Sequence, residues 1–137
     1  MAVVNELIRK ESDNTISFGN YDLDKKTKFS DFEHEGDLYK VKTFSEITKL
    51  EKNGKFVYES VPGTVVFNML ITENEVTFSV STKDSAQITL ELEAGKEYEI
   101  RRDGVILGRM KTNLGGKLVF SIEMGCEETA QIKVVKL

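Results

Sequence analysis

The sequence predicts an all-β fold, an antiparallel β-sandwich of Ig-like or jelly-roll-like type with about nine to eleven short strands. Three observations lead there. Turn-forming residues recur every ~8–12 positions, too often for helices of ordinary length. Between them, apolar and polar residues alternate with a period of two, as in a strand buried on one face. The chain also carries one Pro and ten Gly, with no low-complexity tract, so nothing in its composition opposes a packed core.

The strands can be followed in order. Turn signals fall at Ser12-Asp13-Asn14, Gly19-Asn20, Glu35-Gly36-Asp37, Asn53-Gly54, Pro62-Gly63, Glu73-Asn74, Lys83-Asp84-Ser85, Ala94-Gly95, Asp103-Gly104, 113–116 and Gly125. In the second half, Val76, Phe78 and Val80 point one way, followed by Ala86, Ile88, Leu90 and Leu92. Leu118, Phe120, Ile122 and Met124, then Ala130, Ile132 and Val134, repeat the pattern with polar residues between them. The segment Thr64 to Ile71 is apolar on both faces, which predicts a central strand covered on each side. Asp103-Gly104 and Asn53-Gly54 each predict a two-residue hairpin, because both residues tolerate positive φ.

One region admits two readings. Thr43-Phe44-Ser45-Glu46 fits a helix capping box, with Phe44, Ile47 and Leu50 spaced by three and Gly54 at the stop position. The apolar stripe of such a helix over 44–52 would be thin, so the expectation is a hairpin, with at most one short helix there.

A chain of 137 residues is the size of one domain, 1–137, with a single core. Its two parts differ in texture. Residues 1–63 are less regular and rich in aromatics (Phe18, Tyr21, Phe29, Phe32, Tyr39, Phe44, Phe56, Tyr58), whereas 64–137 holds the regular strands. The net charge is -4, spread over both halves with no basic stripe along the chain, so nucleic acid is not an expected partner. No stretch reaches the ~20 apolar residues of a membrane span, and the start lacks the basic region and long apolar run of a secretory leader. The lone Cys126 rules out an internal disulfide and suits a reducing compartment. A cytoplasmic protein is expected.

Three stretches, Thr15 to Tyr21, Gly36 to Phe44 and Glu51 to Thr64, together with Ala86 to Glu93, resemble a group of small proteins from clostridia and related gut Firmicutes. Members of that group sometimes carry the label endosialidase. The residues do not support that chemistry here. A sialidase holds its substrate carboxylate with three arginines on a propeller, and four blades alone need ~160 residues. This chain has only Arg9, Arg101, Arg102 and Arg109, and no Trp for the sialidase Ser-x-Asp-x-Gly-x-Thr-Trp box. The resemblance therefore implies no site residues.

Candidate chemistry is sparse. His34, the single histidine, sits among Asp31, Glu33, Glu35 and Asp37, where a cation could bind. The calcium-loop spacing and the several His or Cys ligands of a zinc site are missing, so a solvated acidic turn is expected and no metal or cofactor. Asp22 and Asp24 read as a charged turn rather than a glycosidase pair. Cys126 lies beside Glu127 and Glu128, surroundings that disfavour a thiolate. Gly115-Gly116-Lys117 reads as a hairpin turn, and Glu91, Glu93, Glu97 and Glu99 as one charged outer face near Arg101 and Arg102. The aromatics of the first half are expected to form a second small core; as a sugar-stacking platform they would offer Tyr21, Tyr39 and Tyr58, with His34 nearby. The expected function is a non-catalytic binding or assembly module, with a protein partner or a second copy of itself. A carbohydrate-binding module is the alternative, and an enzyme using His34 and its carboxylates the second alternative.

Overall fold

The computed structural model describes residues 3–124 and 128–137. Cys126 lies outside the described residues. The chain forms two antiparallel sheets packed face to face. Among the described residues there are thirteen strands and no helix, somewhat more strands than expected, because β1 (Ile8–Lys10) and β2 (Ile16–Phe18) are only three residues each. Accordingly, no helix among these residues is long and apolar enough to cross a membrane.

The six-stranded sheet is built around a meander of β3 (Thr27–His34), β4 (Asp37–Phe44), β5 (Ile47–Lys52) and β6 (Lys55–Val61), continued by β9 (Ser85–Glu91) and β12 (Lys117–Glu123). Region 44–52 is thus strand, and Asn53-Gly54 joins β5 to β6 in the expected hairpin. Both residues have positive φ, 52° and 79°, the conformation a two-residue turn between right-twisted strands requires. The seven-stranded sheet runs β1-β2-β7-β8-β13-β10-β11, with β7 (Val65–Ile71), β8 (Glu75–Ser81), β10 (Glu97–Arg102), β11 (Val105–Lys111) and β13 (Ala130–Lys136). Asp103-Gly104 makes the expected hairpin between β10 and β11, with Arg102 opposite Val105.

Alternation places the core as expected. Val76, Phe78 and Val80 of β8, Ala86, Ile88 and Leu90 of β9, Leu118, Phe120 and Ile122 of β12, and Ala130, Ile132 and Val134 of β13 are all buried in one cluster. The aromatics of the first half depart from expectation. Phe18, Tyr39 and Tyr58 enter this same core, and the separate small cluster is Val4, Tyr21 and Val65, with Val3 and Phe67 against it. That cluster caps only the start of β7. Leu70 and Ile71 at its other end are exposed, so β7 is covered on both faces only near Val65.

Two further expectations are corrected by topology. Glu91 lies on β9 of one sheet and Glu97 and Glu99 on β10 of the other, so the four glutamates do not share a face. Segment 112–116 links β11 to β12 in the opposite sheet, so Gly115-Gly116 belongs to a crossover rather than a hairpin.

A chain of buried hydroxyls ties one end of the sandwich together. Thr64 Oγ1 lies 2.8 Å from Tyr58 Oη and 2.8 Å from Ser60 Oγ. Thr48 Oγ1 donates to the Thr64 carbonyl at 2.8 Å and sits 2.9 Å from Thr43 Oγ1. Burial without these partners would cost each hydroxyl ~1–3 kcal/mol. Burial also pushes the Tyr58 phenol well above its usual range, so it remains neutral and able to donate.

Candidate functional site

A cavity of about 460 Å³ lies on the outer face of the seven-stranded sheet. Strand register explains its lining. Phe67 is opposite Ser79 and Ser79 opposite Gln131, forming one cross-strand row. The next row is Thr77, Lys133 and Arg101. In an antiparallel sheet, residues directly opposite share a face with Cβ atoms ~4.5–5.5 Å apart. These side chains therefore stand together although they come from distant parts of the chain. Asn68 joins them from the β7 bulge, where its φ is 56°, and its backbone N–H donates to Ser17 Oγ at 3.0 Å.

A third row holds the charged side of the groove in place. Glu75 is opposite Val135, Val135 opposite Glu99, and Glu99 opposite Arg109. The Glu99 side chain is only 4% exposed, because Arg101 and Arg109 cover it. Arg101 Nε donates to Oε2 at 2.7 Å and Arg109 Nε to Oε1 at 3.3 Å. The Arg101 hydrogen bond, ahead of that from Arg109, holds the Glu99 carboxyl below its usual range. One carboxylate shared by two guanidiniums leaves a local excess of positive charge. Lys133 reaches Glu75 at 3.6 Å. The groove thus presents hydrogen-bond donors from Arg101, Lys133, Gln131 and Asn68, and hydroxyls from Thr77 and Ser79.

The residues singled out from sequence lie elsewhere. Tyr21, Tyr39 and Tyr58 are buried, so none offers a ring face for a sugar. Tyr58 packs edge-on against Phe18 and Phe78, with ring centres 5.4 and 5.8 Å away. The acidic turn is solvated as expected, with Asp31, Glu33 and Glu35 exposed, but His34 itself is only 5% exposed. It ends β3 on the face of Phe32, and its Nε2–H donates to the Asn14 carbonyl at 2.9 Å. Its Nδ1 is buried with no partner among the described residues, beside a cavity of about 80 Å³ that Tyr39, Asp37 and Lys52 also line. Asp37 is taken up by Asn53 Nδ2 at 2.9 Å and Lys52 at 3.4 Å. The Asn53 bond, more than the nearby Lys52 charge, lowers its carboxyl below the usual range. Among the described residues no three His, Cys, Asp or Glu side chains converge to hold a metal ion.

The groove residues were visible in the sequence only as the wet positions of alternating strands. Thr77, Ser79, Gln131 and Lys133 each follow that pattern, but nothing local says that β8 and β13 are neighbours. No protein-family model, curated protein or solved structure matches the chain. The class defined is a two-layer antiparallel β-sandwich with a polar, cationic groove on one outer face.

Proposed function

We propose that the protein is a non-catalytic binding module that takes a hydroxyl-rich ligand, a glycan, across β8, β13 and β10. The observation that supports this is the pair of cross-strand rows in which Ser79, Gln131, Thr77, Lys133 and Arg101 meet. Sugar hydroxyls pair with such a mixture of amide, hydroxyl and cationic donors. Chemistry on the ligand is not part of the reading, since the one buried carboxylate beside the groove, Glu99, is held by two arginines. A glycan array followed by calorimetry tests it. Lys133→Ala is expected to weaken binding about ten-fold, as loss of a charged hydrogen bond of ~1.5 kcal/mol or more implies. Absence of binding to any glycan at millimolar concentration, or indifference to Lys133→Ala, overturns the proposal.

A second reading, assembly, is favoured by β11. This edge strand gives no large side chain to the core and exposes Val105 (65%), Ile106, Leu107 and Met110, while an edge strand also leaves backbone groups free to pair. Antiparallel pairing of β11 with a second copy would set the apolar 105–107 segment against Arg109 and Lys111 and so keep like charges apart. The expectation is a dimer whose dissociation constant rises at least ten-fold in Leu107→Lys. Light scattering that finds only monomer at every concentration contradicts it.

A further inference from the structure

The other outer face, that of the six-stranded sheet, has an arrangement that costs stability as it stands. Lys28 on β3 is directly opposite Lys42 on β4, and Lys42 directly opposite Lys49 on β5. Lys40 stands two residues from Lys42 on the same face, opposite Glu51. Like charges directly opposite each other destabilise a sheet. Four other strand lysines do have charge compensation: Lys52, Lys117, Lys133 and Lys136 each lie within 4.0 Å of a carboxylate. None of Lys28, Lys40, Lys42 and Lys49 has such an ion pair among the described residues. The four line a cleft of about 110 Å³ together with Glu51. Burial first, then the neighbouring Lys26, Lys49 and Lys28, lower the Lys42 ammonium below its usual range. All this occurs on a chain of net charge -4, so it is not a by-product of a basic composition.

We propose that this lysine row is a binding site for a small oligoanion carrying two or more phosphate or sulfate groups. Neighbouring strands are ~4.8 Å apart, so the row spans ~10 Å. That length suits tetrahedral anions joined directly or through a short linker, each seated between two ammonium groups. A single-stranded nucleic acid fits less well. Its binding uses a succession of aromatic rings on which bases stack, and on this face Phe56 is covered by Lys117 at 3.5 Å and approached by Lys49 at 5.9 Å, while Phe44, two residues from Lys42, is partly buried. Glu59, opposite Lys49, closes the row on its far side and limits the ligand to the span of β3 to β5. The site is on the opposite sheet from the glycan groove, so the two stand or fall separately.

Titration with sodium tripolyphosphate, and in parallel with a sulfated heparin disaccharide, tests the site by calorimetry and thermal melting at low salt. Binding of either supports the proposal, and the tighter one assigns phosphate or sulfate. Lys42→Gln and the exposed Lys28→Gln should each weaken binding at least ten-fold, whereas Lys83→Gln, in the turn between β8 and β9 and outside both sites, should leave it unchanged. Without anion, Lys42→Gln should melt at the same or a higher temperature than the parent, because it relieves repulsion. A merely structural lysine would show the reverse. No binding of either anion at millimolar concentration, equal weakening by Lys83→Gln, or a lower melting temperature of anion-free Lys42→Gln overturns the proposal.

Discussion

Tyr58→Ala is expected to lower the unfolding free energy by ~3–5 kcal/mol, the range for deleting a buried aromatic side chain. Tyr58 has no exposed surface and holds two aromatic neighbours edge-on, Phe18 and Phe78, so its removal opens a cavity where the two sheets meet. Against a typical total of ~5–15 kcal/mol such a loss brings a domain close to unfolding. Tyr58→Phe separates packing from hydrogen bonding. It keeps the ring but takes one partner from Thr64, whose hydroxyl still has Ser60 at 2.8 Å, so a loss of only ~1 kcal/mol is expected. Urea melts check both, with a lower midpoint at similar slope. Equal midpoints for the alanine variant and the parent would mean that the ring does not hold the sheets together.

Gly63→Ala is the second large effect, and its cause is purely steric. A Cβ on Gly63 would lie 2.1 Å from the Phe44 carbonyl oxygen and 3.3 Å from that of Ser45. The backbone cannot step aside, because Gly63 N–H donates to the Ser45 carbonyl at 3.0 Å and its own carbonyl accepts from Thr82 Oγ1 at 3.0 Å. The expected loss is ~3 kcal/mol or more, the upper end for overpacking. Gly54→Ala is the informative contrast. Nothing lies within 4 Å of its Cβ position, so only the strain of its positive φ remains, ~1–2 kcal/mol. Thermal melts of the two variants should therefore rank Gly63→Ala well below Gly54→Ala, and the opposite order would contradict the close crossing of segment 62–63 over the β4–β5 turn.

The fold class was legible because period-two alternation in β8, β9, β12 and β13 directly records which side chains face the core. Turn chemistry did the same for Asn53-Gly54 and Asp103-Gly104, where positive φ is required. What alternation does not record is which strands are neighbours. Thr77 and Lys133 are directly opposite, yet far apart in the chain, so the groove had no local signature. The lysine row of β3, β4 and β5 was hidden in the same way, since each lysine by itself is an ordinary solvent-facing residue.

Bulges removed further information. By parity Phe56 and Tyr58 share a face, but the register shift opposite Leu50 and Glu51 sends Tyr58 into the core and leaves Phe56 on the outer surface. The aromatic-rich first half therefore looked like a platform or a second core, when most of its buried rings complete the main one. For His34 a usable signal existed. It alternates with Asp31 and Glu33 in step with Phe32, the pattern of an inward-facing position, and the surrounding carboxylates drew the reading toward solvent instead.

The claim that the outer face of the seven-stranded sheet is the binding surface is tested most directly by mapping amide shifts in isotope-labelled protein titrated with the tightest glycan from the array. The account predicts shifts concentrated at Thr77 to Ser79, Gln131 to Lys133 and Arg101. Shifts confined instead to the His34 and Tyr39 end, or to the lysine row of the opposite sheet, would contradict it.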